Sequence, residues 1–457
     1  MAIIQKPTIL TLLAAFVFAS TACLYLFWFG RPDIPDIELS AISGFSKIVP
    51  NEAFIQQWLA SEIDGDLNLK PLGELCTRSN WTEGLIASCG SPQGGVGNVR
   101  NVFLNCVRFA IEAGATGFVI PRIRIRDEKD LTKLTTGNTL SFEYMFDRYH
   151  FHDALRRTCP RMITLDSVPK GLVPITVDTQ DILKEGYEVD PEDITLLAEP
   201  SKWRGKFDTW LTNQNVHLNT TTSILIDLRT PLLRWPMAHD GPKFMQTFGR
   251  ILRFPPDIRR LAATTTYTLS QKYLPKFSPG SGIPPDGYLG AHLRTAEDAI
   301  KAGWPSYEIQ SAGYIAQAHA HNLSIIYVTS GSKDDMARFK ADAFASHKLT
   351  TVTKQELLEG KDLEHLNSLT WDQQGLVDYE MLLRSSSFGG IDGSSFAWNI
   401  ALRRHILSEE GRAVGGEGMG LEGFLAGERG VSSVRDEFSD LRGEPGRNRF
   451  FGKGLWP

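Results

Sequence analysis

Residues 85–120 read LIASCGSPQGGVGNVRNVFLNCVRFAIEAGATGFVI, and the order of residue types in them decides the fold. The apolar run Leu85-Ile86-Ala87-Ser88-Cys89 has the length of a buried strand and opens into the glycine loop Gly94-Gly95-Val96-Gly97-Asn98. Past the loop, Val99, Val102, Phe103, Cys106, Val107, Ala110 and Ile111 recur at the three-to-four spacing of one helical face, and Gly114 supplies a natural stop. Thr116 to Ile120 is β-rich and completes a unit of strand, glycine loop, helix and strand. Backbone N–H groups at such a helix start favour an anion, with Asn98 at the mouth. The loop lacks the Gly-Lys-[Ser/Thr] ending of a P-loop and the complete G-x-G-x-x-G fingerprint, so by itself it also fits a tight turn.

The same alternation returns after Pro285. Strands are expected at Tyr288 to Leu293, Ser324 to Thr329, Thr350 to Thr353 and Phe388 to Ile391. Helices are expected at Tyr307 to His321, Lys333 to Ser346, Asp372 to Ser385 and from Ser394. Such alternation specifies a mainly parallel sheet covered by helices, with ligands at the carboxyl ends of its strands. Three groups fall there: His292-Leu293-Arg294, Thr329-Ser330-Gly331-Ser332 and Gly393-Ser394-Ser395-Phe396, in which Ser394 is an N-cap. An arginine with two capped helix starts can cradle a diphosphate, although each feature singly also suits a salt bridge, a core histidine or a plain cap. Between the two α/β stretches lie proline-rich connections, a helix over Asp257 to Lys272, and the segment Leu228 to Pro236, to which no chemistry is assigned.

The chain has 457 residues, more than one core usually holds, so two domains are expected. A net charge of −5 leaves no basic excess for a phosphate backbone, and nucleic acid is not expected as a partner. Thr8 to Phe29 carries no charge and is long enough to span a membrane; a cleaved signal peptide is the rival reading. Lys6 before it, and Asp33 and Asp36 after Arg31, place the amino terminus in the cytosol and the body in the lumen of the Golgi or endoplasmic reticulum, as a type II membrane protein anchored through residues 8–29. Sequons at Asn80, Asn219 and Asn322 fit that compartment. So do four cysteines outside the anchor, Cys76, Cys89, Cys106 and Cys159, an even number that can form two disulfides whose pairing stays open. No Cys/His cluster points to a metal. The expected divisions are 1–30 (cytosolic tip and anchor), 31–70 (stem), 71–255 and 256–410 (two α/β domains) and 411–457 (a glycine-rich tail).

Taken together, the motifs resemble the GDP-fucose protein O-fucosyltransferase superfamily, in particular its divergent fungal members. The resemblance covers about 75–405 and rests on Gly94-Gly95-Val96-Gly97-Asn98-Val99-Arg100, on His292-Leu293-Arg294 with Asp298, and on Asp372-Gln373, Val377-Asp378-Tyr379 and Ser394-Ser395-Phe396. It implies a GT-B fold, two Rossmann-like domains facing a cleft, with the acceptor on the 71–255 side and the nucleotide-sugar on the 256–410 side. It also implies an inverting, metal-independent transfer of fucose from GDP-fucose to a protein or glycan hydroxyl, with no further cofactor. Arg294 and Asn98 are then the catalytic residues. Gly95, Gly97, Asn98, His292, Arg294, Asp378, Ser394, Ser395 and Phe396 bind the donor. One branch of the family places a glutamate beside the glycine loop, whereas here no carboxylate occurs between Cys89 and Arg100, and the proton acceptor is left unassigned. After the strand at Ile325 to Val328 an acidic residue is expected and Thr329-Ser330-Gly331 stands instead. The alternatives are a catalytically silent relative that binds a glycan or partner, and an unrelated Rossmann-type oxidoreductase, which the incomplete dinucleotide fingerprint disfavours.

Overall fold

The 85–120 stretch folds as its pattern requires. In the computed structural model, which describes residues 50–457 except 129, 131, 132, 134, 184–195, 215–222, 281, 414–431 and 445–447, strand β1 is Thr82–Ser88. It leads through the glycine loop to the Val96–Ala113 helix and to β2, Ala115–Val119, which pairs parallel to β1 with Ala87 opposite Phe118. Gly114 ends the helix at φ 71°, in the left-handed region, and its N–H reaches the carbonyls of Ala110 and Ile111.

That helix is buried on nearly every side, so its polar residues need partners. Asn101 and Asn105 accept the backbone N–H groups of Leu233 (2.8 Å) and Trp235 (2.9 Å), and Arg108 pairs with Asp240 at 2.7 Å. A polar stripe one helical turn apart thus moors the irregular 228–240 segment, which shows no periodicity of its own. The helix is also tied to β1's end by a Cys89–Cys106 disulfide, while Cys76–Cys159 forms the second. Both expected disulfides therefore exist, and Cys106, on its apolar stripe, is a bridge rather than a free thiol.

After a two-stranded ribbon, β3 (Ile123–Arg124) with β4 (Thr139–Leu140), come β5 (Ile163–Leu165), β6 (Ile175–Thr176) and β7 (Ile224–Asp227). The first sheet has the order β5-β2-β1-β7-β6 and is parallel throughout. The second contains β8 (Leu289–Leu293), β9 (Ile325–Ser330), β10 (Thr350–Val352), β11 (Ser387–Ile391), β12 (Ser432–Arg435) and β13 (Ser439–Arg442). Its order is β10-β9-β8-β11-β13-β12, with only the edge pair β12–β13 antiparallel. In each sheet the chain first winds one way from its starting strand and then the other. The reversal points lie beside β1 and β8, where ligands of such sheets bind at the carboxyl ends.

Asn51–Pro457 is one compact unit, because elements of the two sheets interlock. The Pro256–Tyr273 helix packs on Trp371–Leu383, and the Ser395–His405 helix packs on Val96–Ala113. Two stretches are more structured than the sequence reading gave them. Residues 50–70, read as stem, contain the Pro50–Ala60 helix, whose Ile55 and Trp58 are buried in the common core, with Arg384 stacked 4.0 Å over Trp58. The tail supplies β12 and β13 to the second sheet, and Trp456 is buried against Phe248 with ring centroids 4.9 Å apart. Burial of that indole outweighs the glycine-rich composition before it. The anchor at 8–29 and Asn219 lie outside the described residues. Asn80 and Asn322 are exposed, and among the described residues no helix is long and apolar enough to cross a membrane.

Candidate functional site

A cavity of about 640 Å³ opens between the carboxyl ends of the two sheets. Gly94, Gly95, Val96, Asn98 and Arg126 line it from the first half; His292, Arg294 and Asp298, then Thr329 and Ser330, then Ser394, Ser395 and Phe396 line it from the second. The groups that strand-end reasoning selected separately are thus brought into one space. A smaller cavity of about 180 Å³ near Glu62 and Arg100 is lined by charges already paired with each other or with neighbours, among them Arg403 with Glu62 at 2.9 Å.

The glycine loop owes its shape to two positions. Gly94 has φ 94°, where a side chain is strained. Gly97 has an ordinary backbone, but a Cβ there would lie 2.5 Å from the carbonyl carbon of Ser395 and 2.7 Å from the nitrogen of Phe396. Gly97 is not among the residues lining the cavity; its place is at this contact behind the wall. Its missing side chain lets the start of the Val96–Ala113 helix touch the start of the Ser395–His405 helix. Two helix starts converge at one edge of the cavity, each with the positive end of its dipole there. Asn98 is half-buried beside Gly94.

Across from them, Arg294 follows β8. Its backbone N–H donates to Gln310 Oε1 (2.8 Å), whose amide donates back to the Arg294 carbonyl (3.0 Å), which fixes the backbone. Nη2 pairs with Asp298 one turn on, while Nη1 is buried with no hydrogen-bond partner. Trp304 lies under the guanidinium at 5.6 Å. His292 packs on Phe396 with ring centroids 4.7 Å apart, and its Nδ1 has no partner. Burial, aided by the Arg294 charge, pushes the imidazole down to about 3, so it is neutral near pH 7.

Ser394 caps the Ser395–His405 helix by accepting the N–H of Ala397, and the first-turn residues Ser395 and Phe396 line the cavity. Asp378 also borders the cavity, but its carboxylate accepts from Tyr327 (2.7 Å), Thr329 (2.7 Å) and Lys354 (2.6 Å). It ties β9 and the Lys354–Leu357 turn to the Trp371–Leu383 helix at the cavity wall. Arg100, the last residue of the glycine motif, points away from the cavity and donates to the carbonyls of Gly249 and Trp456, both at 2.6 Å.

Among the lining residues that were missed, two carry charge at the centre of the cavity wall. Arg126, just past β3, is buried against the cavity, 3.5 Å from Asp298 and 3.9 Å from Asp372. Its segment is moored to the glycine loop by the Arg124 N–H donating to the Pro92 carbonyl at 2.9 Å. Asp372 stands in the first turn of the Trp371–Leu383 helix, which Thr370 and Gln373 close with a capping box. Burial and the nearby Glu128 push its carboxyl up to about 6 against the pull of Arg126. The alternation Arg122-Ile123-Arg124-Ile125-Arg126 was the one available signal for Arg126. Asp372 had only its place in a motif. Among the described residues no cluster of three or more His, Cys, Asp or Glu side chains is placed to hold a metal ion.

The GDP-fucose protein O-fucosyltransferase model matches residues 86–407, well over half of the chain. The chain belongs to that family. It is a fucosyltransferase-family glycosyltransferase, as the three separated motifs imply, and the matched span holds every candidate donor residue from Gly95 to Phe396. Among solved structures, POFUT1 in complex with GDP-fucose is similar at 14% identity over 72% of this chain and 95% of that chain, with a TM-score of 0.44. An arginine-to-lysine variant of Arabidopsis thaliana FUT1 in complex with GDP gives 9%, 77%, 75% and 0.37 in the same order. NodZ from Bradyrhizobium gives 14%, 69%, 90% and 0.35. No curated protein matches the sequence.

Proposed function

We propose that this family member transfers fucose from GDP-fucose to a protein or glycan hydroxyl with inversion, using two Rossmann-like halves in a GT-B arrangement. The observation that carries the reading is the Arg294 guanidinium, half engaged by Asp298 and half unpartnered, facing two convergent helix starts across the cavity. In the transfer, the acceptor oxygen forms a bond to the anomeric carbon as the bond from that carbon to the diphosphate breaks, and the electron pair leaves on GDP. Negative charge builds on the diphosphate. Arg294 and the N–H groups at the Ser395–His405 helix start stabilise it without reorganising. Neutral His292 adds no charge and holds the ring of Phe396, and Asn98 stands by the reacting centre. The two disulfides support a lumenal body of a Golgi or endoplasmic reticulum protein anchored through residues 8–29, with glycans on exposed Asn80 and Asn322.

Calorimetric titration with GDP, UDP and NAD tests the reading. GDP is expected to bind selectively. Arg294→Ala should weaken it ten- to a hundredfold, since a charge-assisted hydrogen bond contributes about 1.5–3 kcal/mol. Absence of GDP binding, or binding indifferent to Arg294→Ala, refutes the donor site; GDP-fucose bound without turnover leaves the silent relative.

A further inference from the structure

The glycine loop carries no carboxylate, yet the attacking hydroxyl must lose a proton. The cavity supplies three carboxylates to choose from: Asp298, Asp372 and Asp378. Asp298 lies between two guanidinium groups, those of Arg294 and Arg126. Asp378 is held by Tyr327, Thr329 and the Lys354 ammonium. Asp372 is held less tightly, with the Tyr144 hydroxyl as a hydrogen-bonding neighbour. Its nearest cation is Arg126 at 3.9 Å, too long for a hydrogen bond.

Its place also suits the task. Arg126 lies 3.5 Å from Asp298 through Nη1 and 3.9 Å from Asp372 through Nε, and approaches Gly95, where a Cβ would be 4.0 Å from its Nη2. Arg294, Asp298, Arg126 and Asp372 thus form a chain of alternating charges along the cavity, with the glycine loop at Gly95 beside Arg126. Resting on the donor reading above, we propose that Asp372 is the general base that takes the proton of the attacking hydroxyl. The hydroxyl oxygen bonds to the anomeric carbon, the carbon–diphosphate bond breaks with its electron pair on GDP, and the proton passes to an oxygen of the Asp372 carboxylate. Capping of the helix by Thr370, itself hydrogen-bonded to Tyr144 at 2.9 Å, fixes the turn that carries the base.

The groups facing Asp372 are Arg126 and Glu128 from the β3–β4 segment and Tyr144 from the Phe142–Tyr144 turn. Burial and Glu128 outweigh Arg126 and set the carboxyl at about 6. Above that pH it is ionised and can accept a proton; below it the base is lost. A base poised near the working pH contributes on the order of 10²–10⁴ in rate.

GDP-fucose hydrolysis tests the assignment without an identified acceptor, because water can take the acceptor's place. The full chain should release GDP from GDP-fucose with an acid limb near pH 6. Asp372→Asn should bind GDP as the parent does, melt at a similar temperature, and hydrolyse at least a hundredfold more slowly with that limb gone; Asp372→Glu should restore a limb. His292 titrates too low to produce it. Hydrolysis by Asp372→Asn at the parent rate with the limb intact overturns the base while leaving the donor site standing. GDP-fucose bound by the parent but never turned over also overturns it. Failure of the parent to bind GDP removes the donor reading and the base together.

Discussion

Gly97→Ala isolates the contact on which the site's geometry depends. The new Cβ would sit 2.5 Å from the carbonyl carbon of Ser395, 2.6 Å from its oxygen and 2.7 Å from the nitrogen of Phe396. All three are backbone atoms, so no rotamer change relieves the clash, and the two helix starts must separate by about 1 Å to restore ordinary contact. Overpacking of this kind costs about 1–3 kcal/mol, set against at most ~1 kcal/mol gained in helix propensity. A net loss of about 1–2 kcal/mol is expected in denaturant melts. Because Ser395 and Phe396 belong to the donor wall, GDP affinity should fall about tenfold as well, equivalent to ~1.4 kcal/mol. Gly205→Ala is the matched control: it lies in the Pro200–Asn213 helix with nothing within 4 Å of its Cβ, and should be neutral or slightly stabilising. If Gly97→Ala matches the parent in both stability and GDP affinity, the two helix starts do not set the donor wall.

Two further outcomes follow from burial and from covalent links. His292 is lowered to about 3 in the fold, while the unfolded chain takes up its proton near 6.5. Stability attributable to it is therefore present above about pH 6.5 and declines as pH falls towards 3, by up to ~1.4 kcal/mol per unit, and His292→Gln should show a shallower slope between pH 6 and 4 in denaturant titrations. Cys89→Ser with Cys106→Ser, opening a link across 17 residues, should lose about 3 kcal/mol; removing Cys76–Cys159, which spans 83, should lose about 4.5 kcal/mol, again by denaturant melts. Equal losses, or none, would contradict the chain-entropy account.

The fold was legible where hydrophobic period and strand length agree, which is why β1, the Val96–Ala113 helix and β8 to β11 lie within a few residues of their expected bounds. Glycine and serine at strand ends marked the cavity wall for the same reason: helix starts have a local chemistry. Residues 50–63 were read as stem from the scattered prolines and polar residues of the whole 31–70 segment, although Phe54, Ile55, Trp58 and Leu59 recur at helical spacing; that the face is buried, with Arg384 on the Trp58 indole, emerges only from the fold. Asp378 was legible from its motif, but its bond to Lys354, 24 residues earlier, was not. Arg126 and Asp372 come from a ribbon and a helix cap more than 240 residues apart, and no periodicity links them.

The site also explains why the two halves form one unit. The Val96–Ala113 helix is held at β1 by Cys89–Cys106, at the 228–240 segment by Asn101 and Asn105, and at the second half by Arg100, which donates 3.0 Å to Asn399 of the Ser395–His405 helix. Gly97 and Arg100 are three residues apart, nearly one turn, so the same face that approaches Ser395 most closely carries the polar anchor beside it. A guanidinium buried this completely needs several acceptors, and Arg100 has them in Asn399 and the carbonyls of Gly249, Trp456 and Pro457. Those acceptors belong to both halves and to the last residues of the chain, so the anchor resists sliding in more than one direction. The two positive helix ends are in this way kept together before any anion arrives, so that on the proposed donor reading a diphosphate would meet a cradle whose assembly it does not have to drive.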